Sequence, residues 1–562
     1  MQGNASLLFA PDGYETGRSK LMGRHAAGEG FLRAYVQTAG SSEAPGEASC
    51  LALNPAAAGR FRDLVAEIDA RVAVRAYGPA QLGATRRTGT LYLPGPDLGH
   101  WARLRDADNA HAYSLCGVTH TISSVGAIDL IQDFLSSPVT PWDSLVCTSR
   151  VVRESVETLL DAREDFLLGR LGVSRVAGKA PRPALPIIPL GVDTERYAPN
   201  AKARAHWRQE LCIGAEDVAF LFMGRLSFHA KAHPLSMFQA LEAAIGTLPP
   251  NGPKVHLILA GWFANEAIEH VFRKGAKDFA PNLQLHIIDG RENDVRFSIW
   301  SAADVFLSLS DNYQETFGLT PIEAMACGLP VVVSDWNGYR DTVPDGIVGF
   351  RIPTIALPPG GLADLALAHA SGNLNYDHYL AHTCQTVSVD LDACIRRCVE
   401  LIGNPGLRAR MGEAARKHAV EFFDWKQILR SYRGLWADQA KARPAETPPA
   451  TKHQHFPDPT RLFSNYPTAT WQATDQIVIN PDVSSHVAIA MFHHPLWAGG
   501  TGSLISAQNL SRLIDHLQAR RQNPISIGDL TKLFSDLPVP PLLRTLAWLF
   551  KWGGISRRQP RS

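Results

Sequence analysis

Two carboxylates and two cations stand out in this sequence by type and spacing. Glu315 and Glu323, with seven residues between them, lie in the run from Asp311 to Pro330, which passes directly into Val331-Val332-Val333-Ser334. Upstream, Arg225 and Lys231 flank a loop that follows the apolar run from Val218 to Met223 and Gly224. A guanidinium and an ammonium held near one another can neutralise the charge that develops on a departing diphosphate. Alone, an Arg and a Lys six apart would be a solvated face. After a glycine at the end of a buried strand, and with the glutamate run downstream, phosphate binding is the better reading.

The elements that must position these groups follow from local chemistry. Thr320 suits an N-cap, Pro321 the first helical position and Glu323 the third position of a capping box, which predicts a short helix from 321. Gly328 offers a left-handed cap and Pro330 blocks continuation, so the chain passes into a buried strand over Val331–Val333. Ala303–Ser310 reads as another buried strand. Strand, polar loop, helix, strand in an open parallel sheet puts the loop at the carboxyl ends of the strands, beside a helix N-terminus that favours an anion.

The segment 311–334 closely resembles the signature of retaining glycosyltransferases of the GT-B fold, the group that includes glycogen synthase, sucrose synthase and bacterial mannosyl- and glucosyltransferases. The resemblance implies that Glu315 contacts hydroxyls of the donor sugar and Glu323 the nucleotide ribose, while the backbone of Phe317, Gly318 and Leu319 lies against the diphosphate. It also implies phosphate contacts for Arg225 and Lys231, and a sugar-facing role for His120 in Cys116–Ser123, where a lone histidine would otherwise read as structural. The loop 289–293 lies where the family holds the nucleobase. The loop 335–341 reads as a surface turn or as a source of acceptor or donor contacts.

Length bounds the rest. A chain of 562 residues exceeds what one core supports, so two or three domains are expected. Lys and Arg (55) balance Asp and Glu (54), which argues against holding nucleic acid or anionic lipid by bulk charge. The eight cysteines are scattered and read as buried thiols of a reducing compartment. No apolar run reaches membrane-spanning length and the first residues lack a secretory pattern, so a cytoplasmic location is expected, with a peripheral place at the inner membrane face as an option.

The expected order is α/β throughout, in the GT-B form: two Rossmann-like doubly wound domains facing across a cleft. Residues 1–190 form the acceptor-side domain. It opens with a strand over Ser6–Ala10, a loop carrying Gly13 and Gly17, and a helix over Leu21–Ala39. The family's paired glycines are absent from that loop, though Gly17 is carried over as a donor-loop residue. Residues 191–437 form the nucleotide-sugar domain, with strands over Val218–Leu226, Val255–Ala260 and Leu283–Ile288. His256 and His286 fall inside these strands and read as packed sheet histidines. The domain ends in a helix that crosses back to the first domain, past Phe422-Phe423-Asp424-Trp425 and Tyr432.

Residues 438–459, rich in proline, read as a linker. Residues 460–562 read as a small, mainly helical extension with helices over Ile505–Arg520, Ser526–Phe534 and Leu542–Trp552, broken by Pro524 and Pro538–Pro541. Its basic, aromatic end (Trp548, Lys551, Trp552, Arg557, Arg558, Arg561) suggests docking to a protein partner first, membrane contact second and nucleic acid last. His493-His494 has no cysteine or acidic partner nearby and is weak as a metal site.

By this reading the chain moves a sugar from a nucleotide-sugar donor to a glycan, lipid-linked or protein acceptor with retention, needing neither metal nor cofactor. Polysaccharide or glycolipid biosynthesis is the family-level expectation. Two alternatives stand beside it: a phosphorylase or nucleotide-sugar epimerase of the same fold, and a catalytically idle nucleotide-sugar-binding scaffold that works through its C-terminal module.

Overall fold

The computed structural model describes residues 3–15, 23–40, 46–173, 180–445, 456–520 and 523–558. They fall into two compact units, Met1–Phe456 and Pro457–Ser562. The first contains two six-stranded sheets.

Sheet one is built from β1 (Ser6–Phe9), β2 (Glu47–Ala52), β3 (Ala73–Tyr77), β4 (Thr90–Tyr92), β5 (Ser114–Val118) and β6 (Ser144–Val146), in the order β3-β2-β1-β4-β5-β6. Sheet two comprises β7 (Val218–Arg225), β8 (Val255–Trp262), β9 (Gln284–Asp289), β10 (Val305–Ser308), β11 (Val331–Ser334) and β12 (Gly349–Ile352), in the order β12-β11-β10-β7-β8-β9. Every pairing in both sheets is parallel. Each order is that of a doubly wound dinucleotide-type fold whose first strand lies at the switch point. Parallel strands need crossovers that cover both faces, which explains why β7, β8, β10 and β11 are apolar almost without alternation. The α/β fold of two such domains is the one expected, and the strands lie within about two residues of their sequence-based positions.

The chain leaves sheet one late. Ala184 and Ile187 still bridge Ser144 and Cys147 of the β6 edge, and Val192 then bridges Asp424. Val192 N donates to Phe423 O (2.7 Å) and Trp425 N to Val192 O (3.2 Å), so the outward and return crossings are stitched to each other.

The return helix, Trp425–Ala442, buries Trp425, Ile428, Leu429, Tyr432 and Trp436 in the first domain's core beside Phe9, Phe31 and Tyr92. At about 1.5–3 kcal/mol for each large side chain, this stripe holds the two domains together. Trp425 fills a slot that only glycines leave open: a Cβ on Gly30 or Gly191 would come within 2.4 Å of its indole. Arg433 donates to Thr38 Oγ1 (3.1 Å) and Gln439 Nε2 to Leu115 O (2.9 Å). Because this apolar and polar seam runs on to Ala442, the helix continues past residue 437, where the linker was expected to begin.

In the second unit the expected helices are present as Ala507–Ala519, Ile527–Leu533 and Val539–Lys551. The last begins earlier than expected, because Pro540 and Pro541 fall in its first turn, where a missing N–H costs nothing. A three-stranded antiparallel sheet was not foreseen. The strand Gln476–Ile479 pairs with the two-residue Ile525–Ser526 and with Ile555–Arg558. Of the basic, aromatic end, Trp548 belongs to the core of this unit with Trp552 packed against it, and Arg557 pairs with Asp475 at 2.7 Å. Arg561 lies outside the described residues.

Sheet one carries a buried ion pair. Arg105 and Asp143, 1% and 0% exposed, meet at 2.6 and 2.8 Å, and Asp143 also accepts from Leu115 N and Thr140 N, both at 2.8 Å. Removing one member of such a pair strands the other charge. Asp143→Ala is expected to destabilise the first unit by about 3–5 kcal/mol. Urea unfolding followed by tryptophan fluorescence checks this.

Candidate active site

The carboxyl ends of β7, β8 and β10 of sheet two and of β5 of sheet one face a shared cleft of about 480 Å³. Its floor is backbone: Gly224, Gly261 and Gly290 end β7 and β8 and follow β9. A Cβ on Gly261 would lie 1.8 Å from Gly224 O, so these strand ends pack closer than any side chain permits. Around the floor stand Arg225, Lys231, Glu315, Glu323, His120, Phe317, Gly318 and Leu319. Eight of the nine residues singled out by sequence therefore share one cleft. Gly17, the ninth, lies outside the described residues.

The motif helix differs from the expected one in its start. It runs Leu319–Ala326, with Gly318 as N-cap at φ 81°, two residues before the expected first turn. Thr320 is therefore inside the helix and does not cap it, and Glu323 lies beyond capping-box reach. The physical reason is the glycine: Gly318 takes a left-handed conformation closed to Thr320, which starts the turn earlier. The correction frees both side chains. Thr320 Oγ1 is buried without a hydrogen-bond partner, and Glu323 turns into the cleft. The far end is as expected: Gly328 has φ 77° and β11 follows. The Phe317 side chain is core.

Lys231 and Glu315 come from loops far apart in sequence and meet as an ion pair, Nζ donating to Oε2. Their side chains are 22% and 13% exposed, largely desolvated yet open to a ligand. Burial pushes the Glu315 carboxyl up, but the Lys231 charge and hydrogen bond, together with the N–H groups of Phe317 and Thr316, outweigh it and hold the carboxyl below its usual range. Asn312 Nδ2 donates to Lys231 O at 2.6 Å and fixes the cation loop to the motif loop. Arg225 is partly buried. It donates to Ala230 O at 3.2 Å, and desolvation lowers its pKa against the opposing pull of Asp377 and Tyr376.

His120 Nε2 contacts Pro94 O at 3.2 Å. Burial outweighs that contact and lowers the imidazole from its ordinary 6.5 to about 4, with Arg24 and His25 adding to the fall. His120 is therefore neutral at pH 7, able to orient a hydroxyl but not to serve as a cation.

Glu323 is raised, first by burial, against the opposing Arg296 guanidinium and Tyr197 hydroxyl. Arg296 reaches within 3.8 Å of Glu29 across the domain boundary. Sequence reasoning missed Arg296 and Tyr197. The signal for Tyr197 was its place four residues after Gly191-Val192-Asp193 on the crossing, and for Arg296 the helix that follows the base loop. The loop 335–341 is packed rather than open: Trp336 Nε1 donates to Asn312 O (3.0 Å), the Tyr339 hydroxyl meets Ser308 Oγ (3.2 Å), and Arg150 Nε reaches Asp341 from the other domain at 2.8 Å. His256 and His286 are sheet residues, stacked with Nδ1 and Nε2 2.9 Å apart.

Two doubly wound domains sharing a cleft lined by cations and carboxylates define a GT-B type of protein. Residues 203–356 match the family model described as glycosyl transferases group 1. The chain is 30% identical over 246 residues to D-inositol 3-phosphate glycosyltransferase of Saccharomonospora viridis, covering 43% of this chain and 53% of that protein. It is 27% identical over 260 residues to phosphatidyl-myo-inositol mannosyltransferase of Mycobacterium tuberculosis, covering 45% and 63%. The chain thus spans about half the length of the curated relatives it matches. Among solved structures it is similar to Anabaena Alr3699/HepE in complex with UDP (17% identity, TM-score 0.46, 77% of this chain and 100% of that one). It is also similar to a glycosyltransferase from Rickettsia africae (13%, TM-score 0.47, 79% and 100%).

Two outcomes are expected at this site. Gly318→Ala places a Cβ 2.0 Å from Tyr339 Cε1 at a positive φ, and should lower the thermal midpoint and weaken any ligand of the motif loop; calorimetry with and without a nucleoside diphosphate reads both. His120 binds its proton less readily folded than unfolded, so the unfolded state gains protons first as pH falls from 6.5 towards about 4. Stability should fall through that window, and His120→Asn should flatten the fall in a pH series of urea midpoints.

Proposed function

We propose that this protein is a retaining, metal-independent hexosyltransferase that moves a sugar from a nucleotide-sugar to a hydroxyl of a glycan or glycolipid acceptor. The observation that carries the reading is the Lys231–Glu315 pair beside Arg225, held at the carboxyl ends of sheet two and opening on the same cleft as Glu323.

The ammonium has three N–H groups and Glu315 engages one, leaving others for a phosphate oxygen. Arg225, already desolvated, gains most from an anion. The unpartnered Thr320 hydroxyl and the N–H groups at the start of the motif helix add donors on the same side. Glu315, kept ionised, accepts from hydroxyls of the transferred sugar, and neutral His120 faces that sugar from the first domain. Glu323 takes the ribose.

In the step itself the bond from C1 to the diphosphate oxygen breaks, the acceptor oxygen bonds C1 on the same face, and its proton passes to the leaving diphosphate. Arg225 and Lys231 stabilise the charge that grows on that group. The cytoplasm is the proposed location. All eight cysteines are free, as suits a reducing compartment, and no helix among the described residues is long and apolar enough to cross a membrane.

The test is a hydrolysis and binding screen against UDP-, GDP- and ADP-sugars with EDTA present. Wild type should release one nucleotide, and Glu315→Ala should lose about 10²–10³ in turnover while keeping its fold. Binding without turnover in either protein, even with acceptor extracts, would favour the scaffold reading, and turnover abolished by EDTA would remove metal independence.

A further inference from the structure

After β12 the chain leaves the doubly wound pattern. Thr354–Ile355 pairs antiparallel with Ser388–Val389, and between them stands an excursion with helices Ala363–Ala370 and Tyr376–Cys384. The family-model match ends at residue 356, where the excursion begins. It is anchored on the loop that carries Arg225 and Lys231: Leu380 and Cys384 are buried, and Cys384 Sγ lies 3.8 Å from Phe228 O. His369 stacks on Tyr379 at 4.7 Å and ties the two helices together.

The second helix starts with two residues that line the cleft, Tyr376 and Asp377. Asn375 caps it, accepting from His378 N at 2.9 Å, which fixes where they project. The Tyr376 hydroxyl crosses to the opposite domain, 2.8 Å from Ser123 Oγ and 3.2 Å from Thr121 Oγ1. Those residues directly follow His120. Asp377 is exposed, on the same wall as Arg225.

We propose that this excursion is the acceptor-side wall of the cleft. Tyr376 is a positioning residue that latches the wall onto the Thr121–Ser123 loop, and Asp377 is a specificity residue that accepts hydrogen bonds from acceptor hydroxyls. The assignment rests on the transferase reading above. A shut wall between His120 and Arg225 keeps water from the transferred sugar, whereas a hydroxyl-bearing acceptor that satisfies Asp377 gains entry.

The experiment compares full-length wild type, Tyr376→Phe and Asp377→Asn. Amide exchange needs no donor. Tyr376→Phe should raise exchange over 376–384 about fivefold, the worth of an ordinary hydrogen bond. With the nucleotide-sugar found in the screen, Tyr376→Phe should keep donor affinity within about twofold and raise acceptor-free hydrolysis by a similar factor. Asp377→Asn should weaken inhibition of that hydrolysis by an added polyol such as myo-inositol or glucose, read against the variant's own rate without polyol. Unchanged exchange in Tyr376→Phe overturns the latch, and hydrolysis and polyol response unchanged in both variants overturn the wall. If no nucleotide-sugar turns over in wild type, the transferase reading fails, while exchange still decides the latch.

Discussion

The site depends on one ion pair between two loops that the fold brings together from opposite sides of a sheet crossover. Lys231 follows β7 and Glu315 follows β10, neighbouring strands whose parallel pairing puts both carboxyl ends on one edge. Because the pair is largely withdrawn from water, its attraction is stronger than at a surface and its geometry is held by packing. The carboxylate stays ionised despite burial. A dianionic ligand entering the cleft meets a positive edge already paid for in folding. The same loops could not hold this arrangement if the strands shifted by one register step.

The second requirement is a fixed relation between the two domains. The crossing at Val192 and Asp424 and the buried stripe of the return helix meet it, with Trp425 seated between Gly30 and Gly191. Contacts between the domains elsewhere are polar: Arg150 with Asp341, Ser149 Oγ with Thr316 O, and Tyr376 with Ser123. An apolar hinge and separate polar contacts suit a cleft that opens for substrate and closes over it.

Much of this was legible in the sequence for definite reasons. Buried parallel strands are continuous apolar runs, so β7, β8, β10 and β11 announce themselves, and Gly224, Gly261 and Gly290 at the ends of β7, β8 and β9 mark the floor. The motif helix shows where local chemistry misleads. Thr320, Pro321 and Glu323 satisfy a capping box on paper, yet the left-handed Gly318 starts the helix earlier and turns Glu323 to a different task. Arg296, Tyr197, Tyr376 and Asp377 were not legible, because tertiary placement alone brings them to the cleft. The sheet around Gln476–Ile479 was missed because a two-residue partner strand and a terminal basic strand carry almost no period.

The central claim is that Arg225 and Lys231 form a diphosphate site. Calorimetric titration of wild type and Lys231→Gln with UDP against UMP, and GDP against GMP, tests it most directly. For one base, the diphosphate should bind wild type at least about tenfold tighter than the monophosphate, the worth of one charge-assisted contact, and Lys231→Gln should erase that preference. Equal affinities of diphosphate and monophosphate for wild type, or a preference that survives the substitution, would contradict it.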